Sequence, residues 1–172
     1  AEAHRDAMRA CRPGSGEWEV EAALEATMRR LGADGPAFPS IVGSGPNAIT
    51  LHYVDNSRRI QDGDLVLVDA GAEWGMYAGD VTRTFPASGR FSPEQRDLYA
   101  VVLAAEEAAI GAAHTGATIA DLHHAAVRIL ARGLIDLGIL GAADVDQATE
   151  EGSYKRFYMH QTSHWLGLDV HD

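Results

Sequence analysis

A short apolar run with an aspartate at each end constrains the fold of this chain more than any other feature. Residues 64–69 place four Leu and Val side chains between two acids, a pattern that favours a buried strand. Residues 76–85 are rich in Thr and aromatic side chains and predict a second strand. Trp74 and Gly75 lie between the two and predict a two-residue hairpin turn. We therefore expect an antiparallel hairpin near the centre of the fold.

Helical patterns on both sides of this hairpin make the predicted fold class α+β. Helical apolar spacing over residues 1–11 and 15–32 predicts two helices before it. Ser92 and Thr118 are each followed three residues later by Gln or Asp, as in a capping box, and each predicts the start of a further helix. Residues 37–53 are rich in Gly, Pro, Ser and Asn and are expected to form short strands and turns.

The predicted hairpin brings two aspartates together. With a turn at Trp74 and Gly75, Asp69 lies directly across from Asp80, where Cβ atoms are about 4.5–5.5 Å apart and like charges destabilise a sheet. A bound cation removes that conflict, and two carboxylates that face one space suit a hard divalent metal. A different register, with one aspartate in a turn and the other exposed, remains an alternative at this point.

A histidine cluster near the end of the sequence is the second candidate site. His160, His164 and His171 fall within 12 residues, in a tail (residues 154–172) that we expect to be strand and loop. Imidazole is a common metal ligand and transfers protons near neutral pH. A single histidine in such a segment is more often a hydrogen-bonded structural residue, and the cluster weakens that interpretation without reversing it. His52 lies upstream, at the end of a predicted short strand. Four histidines on predicted helices are expected to be surface or helix-end residues: His4, His114, His123 and His124.

Charge and composition exclude several functions. With 14 Lys and Arg against 25 Asp and Glu, the formal net charge is -11, which argues against nucleic-acid and membrane-surface binding. The single Cys11 cannot form an internal disulfide, which is typical of a reducing compartment, so we expect a cytoplasmic protein. No Gly-x-Ser-x-Gly motif is present, and Gly43-Ser44-Gly45 lacks the Lys of a phosphate-binding loop.

Several motifs together resemble the aminopeptidase P (Xaa-Pro aminopeptidase) branch of the pita-bread metallopeptidases. They are residues 41–45, 51–53, 69–71, 77–85, 160 and 163–172. The resemblance covers nearly the whole chain and implies the pita-bread fold. It also implies the family reaction, which removes the N-terminal residue from peptides with proline in the second position.

The resemblance assigns metal ligands. Asp69 resembles the bidentate ligand of one of two divalent ions, usually manganese, Asp80 the carboxylate that bridges both, and His164 the imidazole ligand of the second. The family adds two glutamates after the last histidine motif, and no Glu here lies in a matching motif. Residues 1–172 are therefore expected to be part of a catalytic domain, without the family's N-terminal domain and the C-terminal part of the catalytic domain. Alone, they are expected to bind metal weakly and to be inactive.

The resemblance also assigns catalytic histidines and partners. His52, His160 and His171 match histidines that line the substrate pocket and stabilise the tetrahedral intermediate or transfer protons. The expected partners are Xaa-Pro peptides and, in the full-length protein, further copies of the same chain. Three alternatives remain: a prolidase that cleaves Xaa-Pro dipeptides, metal-free creatinase-type chemistry, and a non-catalytic binding module.

Overall fold

The chain divides into two units in a computed structural model, which describes all 172 residues. Unit 1 comprises residues 1–91 and 165–172, and unit 2 comprises residues 92–164. Helices and strands are mixed in the first unit, whereas the second is helical. None of the helices combines the length and the apolar character that crossing a bilayer requires.

Unit 1 begins with two helices, as the sequence predicts. Helix α1 spans Glu2–Ala10 and helix α2 spans Glu17–Arg30. The predicted cap of α2 at Ser15 is one residue early. The N-cap is Gly16, whose backbone N–H donates a hydrogen bond to the Glu19 carboxylate at 2.6 Å. This reciprocal bond satisfies an N–H group that has no partner within the helix.

Two small antiparallel sheets complete unit 1. The first has the strand order β2-β3-β6, and the second β1-β4-β5. The strands are β1 (Gly35–Pro36), β2 (Ile41–Ser44), β3 (Leu65–Ala70), β4 (Ala72–Trp74), β5 (Tyr77–Ala78) and β6 (Val81–Pro86). The core lies between α1, α2 and one face of the first sheet, where alternate side chains of β3 are fully buried.

The segment between β2 and β3 differs from the prediction. A 3₁₀ helix, Gly45–Ile49, and a turn replace the strand expected around residues 49–51. Pro46 lies in the first turn of this 3₁₀ helix, where its fixed φ angle is compatible with helical backbone. The prediction of a strand that ends at His52 is therefore wrong.

The predicted hairpin turn at Trp74 and Gly75 is also wrong. Trp74 stays in the ladder and pairs with Tyr77, so the turn residues are Gly75 and Met76. Both have positive φ angles, 56° and 74°, as a tight hairpin turn of this length requires. The Asp34 carboxylate accepts a hydrogen bond from the Gly75 backbone N–H at 2.7 Å, which stabilises this turn from outside the hairpin.

Unit 2 contains helices α3 (Pro93–Ala112), α4 (Ile119–Asp136) and α5 (Val145–Glu150), followed by a 3₁₀ helix, Ser153–Arg156. Both predicted capping boxes are confirmed: Ser92 accepts a hydrogen bond from the Gln95 N–H, and Thr118 from the Asp121 N–H. The strand predicted in the tail is absent, because the chain after the 3₁₀ helix forms turns and bends, with Ser163 at φ 68°.

Candidate metal site

Asp69 lies on the central strand of the first sheet. Strand alternation places Val66 and Val68, both 0% exposed, in the core and turns Asp69 to the opposite face, where it is half-buried. Its partners across the ladder are Ile41 on β2 and Thr82 on β6. The carboxylate therefore sits in the middle of a sheet face, with a neighbouring strand on each side.

The predicted register placed Asp80 directly across from Asp69, and this prediction is wrong. The residue across from Asp69 is Thr82, two residues after Asp80, because the turn lies one residue later than predicted. A shift by two keeps a side chain on the same face of a strand, so Asp80 is the diagonal neighbour of Asp69. Gly71 makes this close approach possible, because a Cβ there would lie 1.5 Å from the carbonyl oxygen of Gly79.

The two carboxyl groups influence each other electrostatically. Burial raises the pKa of the Asp69 carboxyl, and the neighbouring Asp80 raises it further, while interactions with Thr82 and His52 act in the opposite direction. The Oδ1 atom of Asp69 is buried without a hydrogen-bond partner. A buried polar atom of this kind costs about 1–3 kcal/mol, and a cation at that position would remove the cost. These carboxylate oxygens therefore fit a hard divalent metal ion.

His52 belongs to the same site. It follows the 3₁₀ helix in an exposed turn, with a left-handed backbone at φ 54°. Its interaction with the Asp69 carboxyl lowers the pKa of that carboxyl, so the imidazole belongs to the surroundings of Asp69. Unit 1 thus brings together two of the predicted metal ligands and one predicted catalytic histidine.

His171 lies in the second segment of unit 1. This segment is joined to the hairpin by a 2.8 Å hydrogen bond from the Ala78 N–H to the Gly167 carbonyl, two residues before Asp80. A further bond, from the Asp172 N–H to the Trp165 carbonyl at 3.3 Å, closes the segment into a loop. The exposed His171 is therefore carried by a loop that is attached to the strand preceding Asp80.

The other two predicted histidines, His160 and His164, lie in unit 2 and are exposed. The His160 ring contacts Tyr158 edge-on, with 4.7 Å between the ring centroids. No group of three or more His, Cys, Asp or Glu side chains in the 172 residues is arranged to hold a metal ion. The assignment of His164 as a ligand beside Asp69 and Asp80 therefore stays a prediction.

A buried glutamate is the main feature that the sequence did not reveal. Glu17, the first residue of α2, is 0% exposed, and its carboxylate accepts hydrogen bonds from backbone and side-chain groups of residues 44–58. Burial alone would raise the pKa of this carboxyl, but the hydrogen bonds, led by that of Ser44, bring it below its usual value. In the sequence, Glu17 looks like any acid in a first helical turn.

Two histidines that were expected at the surface are structural. His4 is 5% exposed, and its Nε2 lies 2.7 Å from the carbonyl oxygen of Val81, the residue after Asp80. His123 stacks on Tyr158 and accepts a hydrogen bond through Nδ1 from the Thr162 N–H at 3.2 Å. The pKa of both imidazoles is lowered, mainly by burial. The expectation for these two residues was wrong because residues distant in sequence cover them.

The chain matches metallopeptidase family M24 over residues 1–172 and therefore belongs to that family. It is 48% identical over 169 residues, 98% of the chain, to the Xaa-Pro aminopeptidase of Haemophilus influenzae. Its identity to the Xaa-Pro aminopeptidase of Escherichia coli is 46% over 172 residues, 100% of the chain.

Solved structures agree with these relatives. The structure superposes on the aminopeptidase PepP of Pseudomonas aeruginosa with a TM-score of 0.97 at 51% identity, covering 100% of this chain and 39% of that one. For zinc-substituted E. coli aminopeptidase P in complex with product, the TM-score is 0.96 at 46% identity, covering 99% of this chain and 39% of that one. The predicted α+β pita-bread fold and the resemblance to aminopeptidase P are confirmed. In each of these four matches, the chain spans 39% of the length of the related protein.

Proposed function

We propose that the full-length protein is a metal-dependent Xaa-Pro aminopeptidase and that residues 1–172 are part of its catalytic domain. One observation carries the proposal: the partnerless, buried Oδ1 of Asp69 lies on the same sheet face as the Asp80 carboxyl. Folding two acids together in this way is unfavourable unless a cation is bound between them. The substrate class, peptides with proline in the second position, comes from the names of the relatives.

The spacing of the site residues supports the assignment. Solved structures of E. coli aminopeptidase P include single alanine variants of two aspartates 11 residues apart, of a histidine 17 residues before the first, and of two histidines 11 residues apart. The same spacings separate Asp69 from Asp80, His52 from Asp69, and His160 from His171. The agreement of these spacings supports the proposal that the five residues form the site.

The metal would be held by oxygen and imidazole ligands. We propose Asp69, Asp80 and His164 as ligands of two divalent ions. Manganese is proposed from the family resemblance, since mixed carboxylate and imidazole donors do not select one divalent metal. Divalent ions supply the Lewis acidity that activates water and polarises the scissile carbonyl. Solved structures of the E. coli enzyme also include an alanine variant of a glutamate that lies 22 positions after the second of these two histidines. The position 22 residues after His171 lies outside these 172 residues.

The histidines are proposed to handle the protons of the reaction. Hydrolysis adds hydroxide to the carbonyl carbon and a proton to the proline nitrogen, which carries no hydrogen in the peptide. An imidazole can supply that proton near neutral pH and can donate a hydrogen bond to the oxygen of the tetrahedral intermediate. His52, His160 and His171 are the candidates, and the interaction of His52 with Asp69 lowers the pKa of the Asp69 carboxyl.

A substrate comparison tests the proposal. Full-length protein is stripped with a chelator, reloaded with manganese, and offered an Xaa-Pro-Xaa tripeptide and an Xaa-Pro dipeptide. We expect metal-dependent cleavage of the tripeptide, little cleavage of the dipeptide, and at least a hundredfold loss of activity in Asp80→Asn, on the order of the effect of removing a main electrostatic group.

The other outcomes identify the alternatives. Preference for the dipeptide would indicate a prolidase, and activity that survives the chelator would indicate metal-free chemistry. Cleavage of neither peptide by the manganese-loaded protein would contradict the proposal and favour a binding module.

A further inference from the structure

We propose that Glu17 is a positioning residue for His52: its buried carboxylate holds residues 45–58 in the conformation that presents the imidazole to Asp69. The inference rests on the proposed function, because it takes His52 to act in catalysis. It concerns a residue in α2, outside the hairpin and outside the histidine tail.

The Glu17 carboxylate is bonded to both ends of this loop. At the start of the loop, its Oε1 accepts hydrogen bonds from the backbone N–H and the hydroxyl of Ser44, each at 2.7 Å, and from the Asn47 amide at 3.2 Å. At the far end, its Oε2 accepts a hydrogen bond from the Arg58 backbone N–H at 2.9 Å. One carboxylate thus fixes the distance between the two ends of the loop.

The same carboxylate is bonded next to His52. Its Oε2 accepts a hydrogen bond from the Tyr53 hydroxyl at 2.8 Å. Tyr53 directly follows His52, whose left-handed backbone at φ 54° is unfavourable for a residue with a Cβ and persists only where the surroundings impose it. No strand or α-helix includes residues 50–58, and next to His52 the Tyr53 hydroxyl donates to Glu17 and accepts a hydrogen bond from the Ser57 N–H.

A neutral residue could not replace Glu17 without loss. All the contacts of its carboxylate are hydrogen-bond donors, and a glutamine amide would turn one acceptor oxygen into a competing donor. The Arg58 guanidinium pairs with Asp64 and donates to Ser44, so the loop end is also held by a charged group. The network is therefore built around an ionised carboxylate on the buried side of the loop, and the imidazole lies at the exposed tip.

The test is a double-mutant cycle in the full-length, manganese-loaded protein with the tripeptide as substrate. Tyr53→Phe removes the hydroxyl next to His52 and keeps the ring, and His52→Ala removes the imidazole. We expect Tyr53→Phe to lower kcat by about tenfold with little change in KM, since a displacement of about 1 Å can cost up to a hundredfold in rate. In the His52→Ala background, Tyr53→Phe should have no further effect.

Thr27→Val is the matched control. It removes a buried hydroxyl of α2 that donates a hydrogen bond to a different carboxylate, that of Asp6, at 2.8 Å, and it leaves the Glu17 network intact. We expect a lower Tm with kcat/KM near that of the wild type. Additive losses for Tyr53→Phe and His52→Ala, or an equal loss of kcat in Thr27→Val, would assign Glu17 a structural role only and overturn the inference.

A second measurement does not depend on activity. In the metal-free protein, the ring-proton NMR resonances of His52, assigned through their loss in His52→Ala, should shift or broaden in Tyr53→Phe and stay in place in Thr27→Val. Resonances unchanged in Tyr53→Phe would overturn the inference even if the wild type cleaved no peptide. Conversely, metal-dependent cleavage that His52→Ala leaves unaffected would overturn the inference while the proposed aminopeptidase function stands.

Discussion

At the scale of single residues, Asp69 shows how folding and function oppose each other. Its side chain is half-buried beside a second carboxyl group, one of its oxygens has no partner, and its pKa is raised by burial. An uncompensated acid in such a place destabilises the fold. The same features make the position favourable for a divalent cation, and functional sites commonly carry such a stability cost.

Replacement of Asp69 should separate these two effects. In metal-free, full-length protein, Asp69→Asn should unfold at a higher temperature than the wild type, because a neutral amide is less unfavourable there than a carboxylate. Added manganese should raise the unfolding temperature of the wild type by binding the folded state, and that of the variant much less. Thermal unfolding with and without the metal measures both.

Asp62→Asn is the control for this pair of measurements. Asp62 is exposed in the turn before β3, and its replacement changes the net charge by the same amount. It should affect neither the metal-free stability nor the gain from manganese. If Asp69→Asn were less stable than the wild type without metal, the Asp69 carboxylate would not destabilise the metal-free protein, contrary to this prediction.

We expect His123 to make the free energy of unfolding depend on pH. Its Nδ1 accepts a hydrogen bond from a backbone N–H, so the imidazole must be neutral at that atom, and its pKa is lowered by burial and by the charges of His124 and His160. The unfolded chain therefore binds this proton more readily than the folded chain. The stabilising contribution is fully present above the unfolded pKa, about 6.5, and is lost as the pH falls through the lower folded value.

Replacing His123 by Asn, which keeps an acceptor oxygen in place of Nδ1, should flatten this dependence. We expect denaturant unfolding of the wild type to show a larger loss of stability between about pH 6.5 and 5 than His123→Asn. Parallel pH profiles for the two proteins would show that His123 does not couple protonation to folding.

At the scale of elements, local rules predicted helix starts well and hairpin register poorly. The capping boxes at Ser92 and Thr118 depend on residues three positions apart, so the sequence contains the whole interaction. The hairpin turn also has a distant partner, because the Gly75 N–H donates a hydrogen bond to the Asp34 carboxylate, 41 residues away. Gly75 indicated the position of the turn, but no residue near it in sequence indicated that Trp74 would pair with Tyr77.

Two helix glycines provide an element-scale prediction. By helix propensity alone, replacing either Gly111 in α3 or Gly133 in α4 by Ala would stabilise by about 1 kcal/mol. A Cβ at Gly111 meets nothing within 4 Å, whereas a Cβ at Gly133 would lie 2.3 Å from Val101 Cγ1 where α3 packs on α4. Gly111→Ala should therefore be neutral or stabilising, and Gly133→Ala should destabilise by about 1–3 kcal/mol through overpacking.

Denaturant unfolding of the two alanine variants compares them directly. Because both changes add one methyl group within a helix, they differ only in what that methyl group meets. Equal stabilities for the two variants would mean that α3 and α4 can separate without cost at Val101.

At the scale of the whole molecule, the sequence was sufficient to predict the family but not the hydrogen bonds that hold the segment around His52 in place. Ordered motifs around Asp69 and Asp80 were sufficient for the fold, which 45–51% identical structures confirm. The Glu17 network could not be predicted, because its partners lie 27 to 41 residues away and each is an ordinary polar residue. The predicted register was wrong by two residues, and a shift by two keeps each side chain on the same face of its strand. The prediction that Asp69 and Asp80 share one face of the sheet was therefore unaffected.

Calorimetric titration of manganese into metal-free, full-length protein tests directly whether the acidic hairpin is a metal site. We predict two ions bound per chain in the wild type and the loss of tight binding in Asp80→Asn, with Asp62→Asn unchanged. Equal manganese binding by the wild type and Asp80→Asn would place the metal elsewhere and would contradict a metal site at the acidic hairpin.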